Sequence, residues 1–301
     1  MSGPRSLCFY LDPDLRESAA AGRHNFLNKI AEVGRAAGLE VRFDDAANAV
    51  RSDSSREYAV VHMEPPPHEN AVSVRRAYFY PFWSIERTEK RWEFDVAKAA
   101  FDPGSVPASE AAAFVRRWRK KWFADRAPGP SGHVYVPLQG RLLDRRSFQS
   151  CSPLEMIETV LAHDPARKVM AGLHPKETYT DSELAALDRL EASHDRLSVQ
   201  MGGADTLLPG CDYVVTQNSA VGFSGYFLGK PLVLFGQIDF HHIALKAAEM
   251  GAADVIRAAP GHRPEFDAYL WWFLQHMAIN AGRPEADERI AARLRGFGWP
   301  V

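Results

Sequence analysis

From residue 133 onward the chain alternates short apolar runs with amphipathic stretches, and this alternation constrains its fold more than any other feature. The runs at 133–136, 168–172, 196–199, 213–215, 231–235 and 254–257 read as strands. Between them, 153–163, 181–192, 220–228 and 243–250 carry helical spacing. Strands separated by helices join as crossovers, so the expectation is α/β, with a doubly wound parallel sheet.

The first part of the chain begins in the same way. Residues 6–11 read as a buried strand, followed by a loop ending at Gly22-Arg23-His24-Asn25, an amphipathic helix through Gly38, and strands at 40–43 and 58–63. A second parallel sheet follows from this order. After the break at Pro65-Pro66-Pro67, the aromatic segment 75–101 has no clear assignment, and 109–123 reads as a helix capped by Ser109. Ala127-Pro128-Gly129-Pro130-Ser131-Gly132 is the strongest linker in the chain. The expected domains are therefore 1–130 and 131–262, with 263–301 as a C-terminal helical segment.

Composition removes several function classes. With 301 residues, 46% hydrophobic and 25% charged, the chain is of ordinary globular type and long enough for two cores. A formal charge of −2 gives no general attraction to nucleic acid. No apolar run is long enough to span a bilayer, and Met1 to Leu11 lacks the long apolar core of a signal peptide. Cys8, Cys151 and Cys211 are odd in number and lack metal-ligand spacing, which implies a reduced, cytoplasmic setting.

Open α/β sheets hold ligands outside the carboxyl ends of their strands, and two predicted strand exits carry suitable chemistry. One is His174-Pro175-Lys176-Glu177; the other is Thr216-Gln217-Asn218-Ser219, followed by Gly222-Phe223 and Gly229-Lys230-Pro231. Pro175 cannot continue a ladder, so it fixes the strand exit and leaves the His174 imidazole at a cleft. Lys176 adds a point charge beside a phosphate. Ser219 precedes the helix expected from Ala220, where it serves as N-cap while the helix N-terminus favours phosphate. Gly222 lets that helix approach the sheet or a ligand closely, and Lys230 reads as structural. A lone His-Pro pair is more often a plain strand end; two such exits together suit a phosphorylated sugar donor.

The ordered set Pro137-Leu138-Gln139, Asp144, His174-Pro175, Asn218-Ser219 followed after two residues by Gly222, Gly229-Lys230-Pro231 and Phe235-Gly236 resembles the capsule polysaccharide synthesis and export family. The likeness covers roughly 134 to 240. That family includes bacterial Kdo transferases, which are GT-B glycosyltransferases using a CMP-activated sugar. The resemblance implies a GT-B-like fold of two Rossmann-like domains with parallel sheets and a C-terminal helix crossing back to the first. It implies a transferase using a CMP-sugar, CMP-Kdo foremost, in capsule or surface polysaccharide synthesis. His174-Pro175 would contact the CMP portion, and Asp144 would act at the anomeric carbon. The CMP-sugar is then a substrate, with no cofactor or metal, and the partners are that donor and a glycan or glycolipid acceptor.

Two departures from the family pattern bear on catalysis. Arg145 and Arg146 follow Asp144 where relatives carry a small or amide residue, and Ser224 stands where many carry Glu. A surface ion pair between Asp144 and one of these arginines is the plain alternative. Two other functions also stay open: a GT-B-fold nucleotide-sugar epimerase or hydrolase, and a non-catalytic nucleotide-sugar-binding relative.

The first domain is expected to take the acceptor. Glu64 and Glu69 flank the proline break and are candidates for handling the acceptor proton. His24 and Asn25 are candidates for acceptor contact, the plain alternative being a helix cap. Phe114, Trp118 and Trp122 recur every fourth residue, with Arg116, Arg117, Arg119, Lys120 and Lys121 around them. Such a helix docks peripherally on the anionic inner membrane surface, or packs on its own core with a solvated basic face. His241-His242 after Asp239 lacks a metal-ligand set.

Overall fold

The computed structural model describes residues 5–124 and 131–301. The chain forms two compact units, one of Met1–Ala99 with Phe273–Val301 and one of Ala100–Trp272.

The first unit holds a six-stranded sheet of β1 (Ser6–Leu11), β2 (Glu40–Asp45), β3 (Glu57–His62), β4 (Ala71–Arg76), β5 (Phe82–Glu86) and β12 (Ile279–Asn280). Its order is β12-β5-β4-β3-β1-β2, with β5 antiparallel to both its neighbours and the other pairs parallel. Leu7 through Leu11 are all buried, as a central parallel strand requires. The helix Asn25–Ala36 supplies Phe26, Leu27, Ile30 and Ala31 to this core.

Three expectations change here. A helix, Pro13–Ala20, replaces part of the expected loop. Pro13 at its first position needs no N–H partner and has its φ preset for a helix. The segment without assignment contains the end of β4 and all of β5, which pair antiparallel. The tail is not helical throughout, because Ile279 and Asn280 pair with Trp83 and Phe82 before the helix Ala286–Gly296 begins. That helix buries Ile290 and Leu294 in the first core, so the chain end returns to the first unit.

The second unit holds β6 (His133–Pro137), β7 (Lys168–Leu173), β8 (Leu197–Met201), β9 (Cys211–Thr216), β10 (Leu232–Leu234) and β11 (Leu245–Lys246), every pair parallel. The helices Pro153–His163 and Asp181–Ala192 match the expected bounds. Each starts in a capping box, Ser152 with Glu155 and Thr180 with Glu183, which ties the start to local sequence. Asp254–Arg257 is not a strand but part of the helix Ala252–Ala258. Its Val255-Ile256 pair is buried in the second core, and a two-residue apolar run suits either element. The expected 243–250 helix is instead β11 followed by Ala247–Met250.

The helix Ala108–Phe123 starts at Pro107 without a side-chain cap, so Ser109 is not the cap but lies in the first turn. Phe114 and Trp118 are buried, and Trp122 stacks on Trp118 at 4.4 Å and meets Phe227 edge-on at 5.3 Å. The aromatic stripe is core, and the five basic residues form an exposed face. This helix packs on Phe266–Trp271, which places both in the second unit and moves the unit limits from the expected 130 and 262. Residues 127–130 of the expected linker lie outside the described residues.

Gly172 in β7 marks a close crossing. A Cβ there would lie 2.5 Å from the Gly202 carbonyl oxygen and 3.0 Å from the Tyr135 hydroxyl. Gly172→Ala is expected to destabilise the second unit by about 1–3 kcal/mol through overpacking. The measurement is the urea midpoint of its unfolding, and an unchanged midpoint would show that the crossing yields freely.

Candidate functional site

The strand order of the second sheet, β11-β10-β9-β6-β7-β8, reverses at β6. The chain runs outward through β7 and β8, then returns across β6 to continue through β9 and β10. Connections leaving β6 and β9 diverge, and the crevice between them is where such sheets accept ligands. The segments that follow β6, β7 and β9 carry the residues singled out from the sequence.

His174 is exposed directly after β7 in a turn closed by the Glu177 N–H donating to the His174 carbonyl. Its own N–H donates to the Tyr179 hydroxyl at 2.7 Å. The imidazole Nδ1 accepts from the Lys176 N–H at 3.2 Å, which leaves the proton of the neutral ring on Nε2 as a donor. Pro175 and Lys176 are exposed beside it.

Ser219 is the N-cap of the helix Ala220–Phe227 and accepts from the Val221 N–H at 3.3 Å. Thr216 ties this exit to its neighbour, donating to the Pro137 carbonyl at 3.1 Å. Asn218 and Ser219 are both buried. Gly222 has the expected packing reason, since a Cβ would lie 2.8 Å from a Leu232 methyl. Lys230 donates to the Cys211 carbonyl at 2.7 Å, a structural duty.

Asp144 is exposed, and its carboxylate pairs with Arg141 at 2.8 Å, not with Arg145 or Arg146. Arg141 is held at φ 65°, a left-handed conformation uncommon outside glycine, and the Asp144 N–H donates to the Arg141 carbonyl in the same turn. Arg146 and Gln149 were not expected as site residues. The Gln149 side-chain oxygen accepts from the Arg146 backbone N–H at 2.7 Å. Their sequence signal was no more than the Arg145-Arg146 departure.

In the first unit the candidates separate. Glu64 is exposed just beyond the carboxyl end of β3. Glu69 is not with it: Ala71 pairs with Ala59, so the chain has crossed back to the amino edge before β4 begins. There a Ser54 hydrogen bond is the largest cause holding the Glu69 carboxyl below its usual range. The eight-residue loop is long enough to traverse the strand, and it carries Glu69 to the wrong edge for a shared site. His24 takes the plain role of cap, its Nδ1 accepting from the Leu27 N–H at 3.1 Å. Asn25 donates to the Tyr80 hydroxyl at 3.2 Å and the Ala281 carbonyl at 3.1 Å. Among the described residues, no group of three or more His, Cys, Asp or Glu is arranged to hold a metal ion.

Residues 147–283 match the model of the family described as "Capsule polysaccharide biosynthesis protein". The family expected from the sequence is the family matched. No curated protein matches the chain. The fold is similar to that of the KpsC beta Kdo 2,7 transferase of Thermosulfurimonas dismutans, at 12% identity and a TM-score of 0.55, over 98% of this chain and 99% of that one. The KpsC beta Kdo 2,4 transferase of the same organism matches at 12% identity and a TM-score of 0.49, over 89% and 98% of the two chains. The architecture is thus the expected GT-B-like one, with two Rossmann-like units and parallel-dominated sheets. No helix among the described residues is long and apolar enough to cross a membrane.

The first unit carries a histidine-linked pH dependence. Burial, the largest cause in each case, holds His24, His62 and His68 below the ordinary histidine value of 6.5. The folded unit therefore keeps them neutral while the unfolded chain binds protons from about pH 6.5 downward, so stability falls as pH falls through that range. Thermal unfolding is expected at lower temperature near pH ~5.5 than near pH ~7.5, with the difference reduced in His62→Asn. An identical pH response in the variant would remove His62 from the account.

Proposed function

We propose that the chain is a glycosyltransferase of capsule or related surface-polysaccharide synthesis that takes a CMP-activated sugar, CMP-Kdo foremost, and passes it to a glycan or glycolipid hydroxyl. The reading is supported by the family match, by the fold, and by the sheet edge itself. The observation that carries it is His174: with Nδ1 occupied by Lys176, its Nε2–H is a donor at the exit of β7. The N-terminus of the Ala220–Phe227 helix, at the exit of β9, lies on the same carboxyl edge. β7 and β9 both flank β6, so their axes are about 10 Å apart, a span suited to a nucleotide. A phosphate placed there gains from the imidazole and from the helix dipole.

In the transfer, the bond from the anomeric carbon to the phosphate oxygen breaks, CMP leaves with the electron pair, and the acceptor oxygen bonds to the anomeric carbon. The acceptor proton passes to a base, for which Glu64 is the first-unit candidate. Asp144 would stabilise positive charge at the anomeric carbon or attack it. Peripheral membrane association would rest on the exposed basic residues 116, 117, 119, 120 and 121 alone, because Phe114 and Trp118 are buried. A second reading, a non-catalytic donor-binding relative, draws support from the exposed Asp144–Arg141 pair.

Isothermal titration with CMP, UDP and GDP is expected to rank CMP first, and His174→Ala is expected to weaken CMP binding by roughly 1–3 kcal/mol. A preference for UDP or GDP would overturn the CMP-sugar assignment. Asp144→Asn is expected to bind CMP as the parent does while losing transfer by at least ~100-fold. Transfer kept within about threefold, less than 1 kcal/mol of barrier, would make Asp144 a surface residue.

A further inference from the structure

Arg146, in the segment after β6, makes no ion pair among the described residues. Its guanidinium lies over the Phe148 ring, 4.8 Å from the centroid, and its Nε is 3.3 Å from the Gln149 side-chain oxygen. Its Nη2 is buried without a hydrogen-bond partner, and among the described residues no carboxylate pairs with it. The nearest sequence candidate, Asp144, is taken by Arg141. Burial, then the neighbouring Arg141, push the guanidinium below its usual range, against the opposing attraction of the Glu177 and Asp144 carboxylates.

Arg146 is not alone. Gln149 is 4% exposed and its side-chain nitrogen has no partner; Gln217 is 3% exposed and its side-chain oxygen has none. The Gln139 side-chain oxygen is likewise buried and unpaired. These residues follow β6 and β9, the two strands whose exits diverge at the crevice. Segment 148–151 holds them in place: the Gln237 N–H donates to the Phe148 carbonyl, the Ser150 N–H to the Phe235 carbonyl, and the Gln217 side-chain nitrogen to the Cys151 carbonyl. Folded chains leave few buried polar atoms unsatisfied, and a ligand that supplies partners accounts for these four.

We propose that Arg146, flanked by Gln149 and Gln217, is the receptor for an oxyanion of the donor. The proposal rests on the donor-site reading above. Two donor groups share the required chemistry, the nucleotide phosphate and the carboxylate of an acidic sugar. A guanidinium suits either, since it keeps its charge and offers planar N–H donors to an oxyanion.

The test uses the full chain, Arg146→Gln and Arg146→Lys, titrated with cytidine, CMP, CMP-N-acetylneuraminate and acetate. The Arg146 Nε–H resonance in the parent, assigned by its loss in the variants, reports contact directly. If the phosphate is recognised, Arg146→Gln weakens CMP roughly 10- to 100-fold and leaves cytidine unchanged. If the carboxylate is recognised, CMP is unchanged, CMP-N-acetylneuraminate weakens by that factor, and acetate shifts the Arg146 resonance. Arg146→Lys is expected to recover part of the loss, because it keeps the charge and loses the planar fork. The unliganded melting temperature of Arg146→Gln is expected to equal or exceed that of the parent, since a receptor costs stability whereas a structural arginine supplies it. Equal affinity of parent and Arg146→Gln for every nucleotide, with no resonance shift, would overturn the proposal while leaving the donor-site reading intact. An acetate-induced shift without nucleotide binding would overturn the donor-site reading and keep Arg146 as an anion receptor. No response to any of the four probes would overturn both.

Discussion

Two parallel strands cannot be joined without a crossover, and the arrangement of this chain depends on that constraint. Every strand of the second sheet leaves at the same edge, so residues at 138–152, 174–180 and 217–219 gather there although they are distant in sequence. The reversal at β6 then opens the crevice, because the connections from β6 to β7 and from β9 to β10 depart in different directions. No separate device is needed to assemble the candidate site.

Close packing holds the edge in register. Gly172 meets the carbonyl of Gly202, and Gly222 meets Leu232, so the exits of β7 and β8 and the helix after β9 approach more closely than side chains would permit. Polar pins complete this. The Glu183 carboxylate accepts from the Leu142 N–H while serving the capping box of Asp181–Ala192, which couples the segment after β6 to the start of a helix. A cap of this kind contributes about 1 kcal/mol, and here it also fixes where Asp144 and Arg146 stand.

The same region keeps polar atoms that nothing satisfies. An unsatisfied buried donor or acceptor costs about 1–3 kcal/mol, so Gln139, Arg146, Gln149 and Gln217 are a local cost to the fold. Such departures concentrate where a protein meets its ligand, with the surrounding elements supplying the stability. The carboxyl edge of the first sheet contrasts with this, since His24 and Asn25 are committed to the fold by a cap and two hydrogen bonds.

The sequence by itself determined what local spacing controls. The strand at 6–11 and the helices at 153–163 and 181–192 follow from apolar period and capping residues, whose partners lie within four positions. It also put His174 and Ser219 at strand exits, because a proline or a cap marks the end of an element. Only the tertiary structure decided that Val255 and Ile256 belong to a helix, that Ile279 and Asn280 extend the first sheet, and that Phe114 and Trp118 are core. It likewise paired Asp144 with Arg141, sent Glu69 to the amino edge, and left the Arg146 Nη2 without a hydrogen-bond partner. These outcomes depend on crossovers and strand register, which sum contacts between residues far apart in the chain and leave no trace in the spacing of near neighbours.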